Sequence, residues 1–253
     1  MRHVFVTAGS KGLGRKVTEA FLAAGDCVTV TYRNDRQSYL NLCEAHSDTC
    51  DRLFAVQGDL TKSEDIQRMM QQATSTFGSV EVLVNNAGPY IFERKKLYDY
   101  TPGEWEAMVS GNLSAMFYLL QEVLPEMRRQ KYGRIVSYGF QEAANAPGWL
   151  YRSAFAAAKS GLASLTKTVA LEEAEHGITM NMVCPGEITS EFKESTVAEV
   201  KQIEAPEVPV GRPGSGGDIA RAVAFLCDSS SDFITGSVLE VTGGADVLHK
   251  RRN

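Results

Sequence analysis

The chain has 253 residues, is 43% hydrophobic and 23% charged, and carries a formal net charge of −5. That length can bury a core, and in a mildly acidic chain with no basic cluster beyond the terminal Lys250-Arg251-Arg252, read as a solvated tail, nothing argues for a nucleic-acid footprint. No apolar run approaches the ~20 residues of a membrane span, and a first strand at residue 3 or 4 leaves no room for a signal peptide, so a soluble, cytoplasmic protein is expected.

Cys27, Cys43, Cys50, Cys184 and Cys227 show neither C-x-x-C spacing nor a neighbouring His pattern, so no metal site and no disulfide framework is expected. The apolar run Val4-Phe5-Val6 leads directly into Thr7-Ala8-Gly9-Ser10-Lys11-Gly12-Leu13-Gly14, which opens a helical pattern. Glycines there let a strand-to-helix turn approach a diphosphate, whose charge suits the amides and dipole of the helix start. The spacing is G-x-x-x-G-x-G rather than G-x-G-x-x-G, so a glycine-rich loop without a ligand stays open on this stretch alone.

A second strand is read over Cys27 to Tyr32, then a polar helix from about Asp35 to His46. Where the second strand of a dinucleotide fold ends, an acid suits a free ribose 2′-hydroxyl and an arginine suits a 2′-phosphate. Arg33 there, with Lys11 in the glycine turn and no carboxylate, favours NADP(H), a solvated Arg33 being the alternative. A third strand, Leu53 to Gln57, ends at Gly58-Asp59-Leu60, and Thr61-Lys62-Ser63-Glu64 starts a helix. Val80 to Val84 forms the fourth strand and stops at Asn85-Asn86-Ala87-Gly88-Pro89.

A long helix is read from Thr101-Pro102 to about Arg129, with Asn112 either a site residue or part of an exposed polar face. The fifth strand, Arg134 to Tyr138, precedes a second long helix that follows Pro147-Gly148 and ends near His176-Gly177. Its Ala154, Ala156, Ala157, Ala158, Gly161 and Ala163 admit close approach of a helix or a cofactor. A sixth strand, Ile178 to Val183, a mobile-looking polar segment from Ser190 to Pro209, a helix from Asp218 to Cys227 and a strand from Ser237 to Val241 complete the chain. This alternation, unbroken by a linker or repeat, predicts one α/β doubly wound domain over residues 1–253, with a seven-stranded, mostly parallel sheet.

These motifs together resemble the short-chain dehydrogenase/reductase family along nearly the whole chain. Thr7 to Gly14 is similar to its T-G-x-x-x-G-x-G loop with Ala8 for the first glycine, and Asn85 to Gly88 matches its N-N-A-G. Asp59 matches its adenine contact, Asn112 its structural and proton-relay asparagine, Lys159 its active-site lysine and Pro185-Gly186 its nicotinamide-side turn. The tail from Gly211-Arg212 to Thr242-Gly243-Gly244 resembles bacterial 3-oxoacyl-[acyl-carrier-protein] reductases. The resemblance implies a Rossmann-type NADP(H)-binding subunit, forming a homotetramer or homodimer through the two long helices. It implies cofactor contacts from Thr7, Gly9, Ser10, Lys11, Gly12, Leu13, Gly14, Arg33, Asp59, Leu60, Asn86, Ala87, Gly88, Lys159, Pro185 and Gly186. No metal, nucleic-acid or membrane partner is expected.

The family's Tyr-x-x-x-Lys and its serine after the fifth strand have no match: Phe155 stands four residues before Lys159, and Phe140 aligns with the serine. Phe has no proton to donate, and a positioned general acid is worth about 10²–10⁴ in rate. Tyr151, eight residues before Lys159, is a substitute if the helix reaches back to it. Enoyl reductases of this superfamily likewise move their tyrosine outward, to Tyr-x₆-Lys, whereas Tyr-x₇-Lys is found here. The alternative is a helix-start aromatic packed on Trp149 or Phe140. Strand alternation puts Tyr138 on the side of position 140, either a deeper donor or a core residue, and turns Ser137 to the other face; Ser153 lies off the face shared by Phe155 and Lys159.

The resemblance gives Lys159 a second task, holding the nicotinamide ribose hydroxyls, and places Tyr90, Phe92, Phe140, Trp149 and Tyr151 near the substrate cleft. Glu93-Arg94-Lys95-Lys96 beside it is a solvated loop or a contact for an anionic substrate or carrier. Three functions follow: an NADPH-dependent reductase of small-molecule or acyl-thioester carbonyls whose catalytic residues are Asn112, Tyr151 and Lys159; a reductase of conjugated double bonds; or a catalytically silent NADP(H) sensor.

Overall fold

Val4, Phe5 and Val6 have no exposed surface, as a central strand covered on both faces requires. In this computed structural model, which describes residues 1–246 and Leu248, β1 (His3–Val6) lies mid-sheet. Beside it run β2 (Cys27–Tyr32), β3 (Leu53–Gln57), β4 (Val82–Asn85), β5 (Gly133–Tyr138), β6 (Ile178–Pro185) and β7 (Val238–Val241). All are parallel, in the order β3-β2-β1-β4-β5-β6-β7. The seven-stranded Rossmann-like α/β sheet is therefore the expected one, parallel throughout. Its order reverses between β1 and β4, and a crevice opens beyond the carboxyl ends of the strands at such a point.

The helices are α1 (Gly12–Ala23), α2 (Arg36–Ala45), α3 (Ser63–Phe77), α4 (Pro102–Val109), α5 (Ala115–Gln130), α6 (Ser153–Glu172), α7 (Val197–Val200) and α8 (Gly216–Leu226). Strand alternation divides the core. Phe5, Leu83 and Ile135 pack against α3, α5 and α6, whereas Val4, Val6, Val82, Val84 and Val136 pack against α1, α2 and α8.

Several expected boundaries move for local reasons. The fourth strand starts at Val82, where its register with Val4 begins, and ends at Asn85. The expected helix from 101 to 129 is interrupted by a wider turn at Ser110–Ser114. There the Asn112 side-chain amide donates to the Met108 carbonyl at 3.0 Å, competing for the oxygen that an α-helical backbone bond would use. Leu113 from this turn meets Gly161, so the small-residue stripe of α6 receives a neighbouring helix turn.

The second long helix starts later than expected, at Ser153, and ends at Glu172, with a separate turn at Ala174–His176. The segment expected to be mobile contains the turn Ser190–Phe192 and α7, whose Thr196–Glu199 capping box and buried Val200 anchor it. The sixth strand runs on to Pro185, and α8, capped by Ser215, starts at Gly216, two residues before its expected start at Asp218. The five cysteines are free thiols. The Lys250-Arg251-Arg252 tail lies outside the described residues. Among the described residues no helix is long and apolar enough to cross a membrane.

Candidate active site

The glycine turn is built by polar cross-bracing between the ends of β1 and β4. Asn86 donates its side-chain amide to the carbonyls of Thr7 (3.0 Å) and Ala8 (3.3 Å), the Ala87 amide donates to Thr7 Oγ1 (2.8 Å), and Thr7 Oγ1 donates to Asn85 Oδ1 (3.1 Å). Ala8 holds φ at 50°, the left-handed region that a glycine occupies freely, and its amide donates to Thr31 Oγ1 at 3.0 Å. Gly14 is obligatory for another reason: a Cβ there would lie 2.4 Å from the Ala8 carbonyl oxygen. Gly12, at φ +58°, faces open space near Lys193, and its amide donates to Glu194 at 2.7 Å.

Beside this turn a pocket of about 500 Å³ is lined by Ser10, Lys11, Arg33, Asp59, Leu60, Ala87 and Gly88, among others, all residues expected among the cofactor contacts. Asp59 accepts from the Thr61 amide (3.0 Å) and hydroxyl (2.8 Å), and the backbone bond is the main cause that holds its carboxyl below the usual range. The expectation of two cations without a carboxylate needs correction. Asp35 caps α2 and pairs with Lys11 at 2.8 Å, and that bond lowers the Asp35 carboxyl to about 2. Along the sequence Asp35 reads as a helix start alone, since its partner Lys11 lies 24 residues earlier. Arg33 is exposed on the pocket wall.

A larger cleft of about 810 Å³ continues past β4, β5 and β6. It brings together Leu13, Asn86, Gly88, Asn112, Tyr151, Lys159, Pro185 and Gly186, residues from five separate stretches of chain. Lys159 is buried and donates to the Tyr138 carbonyl at 2.7 Å, and burial brings its ammonium down from 10.5 to about 8. Asn112, fully buried, gives its amide to the carbonyls of Pro89 (2.9 Å) and Met108, while its Oδ1 has no hydrogen-bond partner. That oxygen lies 2.4 Å from where a Cβ on Gly88 would stand, so Asn112 is no member of an exposed polar face.

Phe140 and Trp149 stack with ring centres 5.2 Å apart, and Phe155 meets Trp149 (6.0 Å) and Tyr90 (5.0 Å) edge-on. Tyr90, Phe92, Phe140, Trp149 and Tyr151 therefore all line the cleft as expected. Tyr151 does so from an unexpected place. It precedes α6, with φ at +66°, so it stands off the helix instead of two turns out along it. Its carbonyl accepts from Arg152 Nη1 (3.1 Å), and its ring lies 5.9 Å from the Arg94 guanidinium carbon.

Tyr138 and Phe140 fall in opposite halves of the core, contrary to the expected common side, because β5 ends at Tyr138 and Gly139-Phe140 leave the strand. The Tyr138 hydroxyl is buried without a partner and its pKa is raised by burial, so Tyr138 is a core residue. Ser137 lies opposite Tyr138, as strand alternation expects, but on the α6 side that Phe140 also takes, where its hydroxyl bonds Thr166 at 3.1 Å. Arg152, not singled out from the sequence, ties the cleft wall together by donating to the Tyr90 hydroxyl (2.5 Å) and to the carbonyls of Glu93 (2.9 Å) and Phe92 (3.2 Å). Of the charged run, Lys95 is paired with Glu104 at 2.5 Å and Arg94 reaches the cleft.

The glycine turn, the pocket of about 500 Å³ beside it and the orphaned Asn112 oxygen near Lys159 fit a dinucleotide laid across the switch point. The family described as enoyl-(acyl carrier protein) reductase matches residues 7–246, and the chain belongs to the short-chain dehydrogenase/reductase family of oxidoreductases, which implies an NAD(P)(H) cofactor. Members of this family are often oligomeric and act on small molecules.

Among individual relatives, the chain is 58% identical over 253 residues to the protein of Bacillus subtilis (strain 168) named as oxidoreductase YtkK, covering 100% of this chain and 99% of that one. It is 34% identical over 244 residues to the 3-oxoacyl-[acyl-carrier-protein] reductase FabG of Staphylococcus epidermidis, covering 96% and 98% of the two chains. A structure from Bacillus thuringiensis described as a 3-oxoacyl-reductase superposes with TM-score 0.93 at 55% identity, covering 98% of this chain and 100% of that one. An actinorhodin polyketide ketoreductase with NADPH superposes with TM-score 0.83 at 25% identity, covering 96% of each.

Proposed function

We propose that residues 1–253 act as one NADP(H)-dependent reductase unit for the carbonyl of a 3-oxoacyl thioester, with Tyr151 as an atypical proton donor. The observation that carries this reading is the single cleft in which Tyr151, Asn112 and Lys159 share walls with Phe140 and Phe155. Phe140 and Phe155 stand, on this reading, where the family's serine and tyrosine belong. Likeness to proteins named as 3-oxoacyl reductases supports the substrate class.

Arg33 supports the choice of NADP(H), since a guanidinium matches a 2′-phosphate in charge and geometry. Thr7, Gly9, Ser10, Lys11, Gly12, Leu13 and Gly14 would hold the diphosphate, Asp59, Leu60, Asn86, Ala87 and Gly88 the adenosine and linking portions, and Lys159, Pro185 and Gly186 the nicotinamide end. When bound, the reduced cofactor supplies a hydride to the carbonyl carbon. Tyr151 gives its phenolic proton to the carbonyl oxygen and regains it from solvent at the mouth of the cleft. Lys159 stabilises the developing oxyanion and Asn112 positions the relay, while the stacked Phe140, Trp149 and Phe155 exclude water. A cytoplasmic role in fatty-acid synthesis follows from the substrate class. The exposed Phe117 on α5 and Leu171 on α6 support a homotetramer or homodimer through the long helices.

The second reading is reduction of a conjugated double bond, favoured by the aromatic walls and by the description of the matching family. NADPH oxidation against 3-oxoacyl and enoyl thioesters of matched chain length, with Tyr151→Phe run alongside, separates the readings. The carbonyl reading expects preference for the 3-oxoacyl thioester and a 10²- to 10⁴-fold loss in the variant, of the order that a general acid contributes. Preference for the enoyl thioester selects the second reading, and indifference to the substitution removes Tyr151 from the mechanism. Tight NADPH binding with no hydride transfer to a broader set of carbonyls would instead identify a silent sensor.

A further inference from the structure

The first turn of α1 contains no acidic residue, and Lys11 at its N-cap provides no side-chain cap. The missing anion comes from 182 residues away: Glu194 Oε1 accepts from the Gly12 amide at 2.7 Å, and Glu194 Oε2 pairs with Arg15 Nη1 at 3.2 Å. A carboxylate of the chain itself thus stands at the start of α1, the place that the dinucleotide reading gives to the diphosphate, and takes the Gly12 amide.

Glu194 sits on a strap from Ser190 to Val200 that touches both halves of the site. Thr189, Ser190 and Lys193 at its near end line the 810 Å³ cleft. Its far side is seated on the start of α8, where the Gly217 amide donates to the Ser195 carbonyl at 3.0 Å and the Lys193 carbonyl lies against Gly216. The Glu194 side chain is 42% exposed where it stands, so solvent already reaches it. Lys193 is already placed to follow: its Cδ is 3.9 Å from where a Gly12 Cβ would stand.

We propose that Glu194 is an affinity-determining residue that occupies the diphosphate site in the absence of cofactor, so that dinucleotide binding displaces it and releases the strap at the cleft. The Gly12 N–H has one hydrogen and serves one anion at a time, so the two occupants exclude each other. The chain with Glu194 docked is not competent to bind, and the apparent cofactor dissociation constant is raised by the fraction so held. Lys193, next in the strap, exchanges places with Glu194 and meets the diphosphate with opposite charge. This inference rests on the dinucleotide reading of the site.

The test uses the full chain and two binding readouts. NADPH fluorescence titration of Glu194→Gln, which keeps the shape and removes the charge, should show a roughly two- to fivefold lower dissociation constant, the range for an anion at an exposed helix start. Hydrogen exchange in the unsubstituted protein should show faster exchange over residues 190–200 and slower exchange at the Gly12 amide when inorganic diphosphate is added. Equal or weaker NADPH binding by the variant, or a strap indifferent to diphosphate, overturns the proposal. If neither NADPH nor NADH binds the unsubstituted protein, the dinucleotide reading fails, and the diphosphate experiment alone then decides whether Glu194 guards an anion site.

Discussion

The Lys159 ammonium lies 5.7 Å from the centre of the Phe155 ring, one turn earlier on α6. A ring face attracts a cation, and with the Tyr138 carbonyl it forms the polar company of a buried charge. That company does not fully replace water, which is why the ammonium is brought down to about 8.

Stability should therefore depend on pH through Lys159. Its folded value of about 8 lies below its ordinary 10.5, so between those values the unfolded chain binds more protons and stability rises with pH; below about 8 both states are charged and the cost is constant. Urea unfolding of the protein and of Lys159→Met across pH 7–11 isolates the effect. The difference between them should shift in favour of Lys159 by on the order of 3 kcal/mol from the lower to the upper limb. A pH-independent difference would contradict it.

Phe155→Tyr restores a phenol one turn before the lysine, against Tyr90 and Trp149. On the carbonyl reading, Phe155→Tyr placed in the Tyr151→Phe variant should restore kcat for a 3-oxoacyl thioester by about 10²-fold, within the range for a positioned general acid, while NADPH affinity stays the same. Steady-state kinetics beside a cofactor titration checks both halves of this expectation.

The two cations beside the adenosine pocket should not be equivalent. Lys11 is already paired with Asp35, whereas Arg33 lies exposed on the pocket wall. Arg33→Ala should weaken NADPH binding by about tenfold, the equivalent of ~1.4 kcal/mol, and leave NADH binding unchanged. Lys11→Ala should do markedly less, and parallel titrations with both cofactors distinguish the two.

Gly14→Ala drives a Cβ to 2.4 Å from the Ala8 oxygen and 2.6 Å from the Asn86 amide nitrogen, so it should cost about 1–3 kcal/mol and loosen the turn. Gly103, inside α4, has nothing within 4 Å of its would-be Cβ. Gly103→Ala should instead stabilise by about 0.5–1 kcal/mol. Denaturant midpoints of the two variants should move in opposite directions.

Much of this architecture is legible along the chain. Valine-rich runs such as Val4-Phe5-Val6 can sit only between two helical layers, glycines at Gly9, Gly12 and Gly14 mark the tight turn from β1 to α1, and Asn112, Lys159 and Pro185-Gly186 stand out along the chain and meet in one cleft. Local chemistry carries these signals, so they survive without knowledge of distant contacts.

What the sequence by itself determined is the alternation of strand and helix, the glycine turn after the first strand and the absence of a tyrosine four residues before Lys159. Only the tertiary structure decided where α6 begins, and hence that Tyr151 reaches the cleft from a left-handed turn; that Asp35 neutralises Lys11; and that Glu194 stands on Gly12. The two pairings join residues 24 or more positions apart, and the start of α6 is marked by no side-chain cap. Periodicity reports which face of an element is buried, but it carries no information about which distant side chain will meet it there.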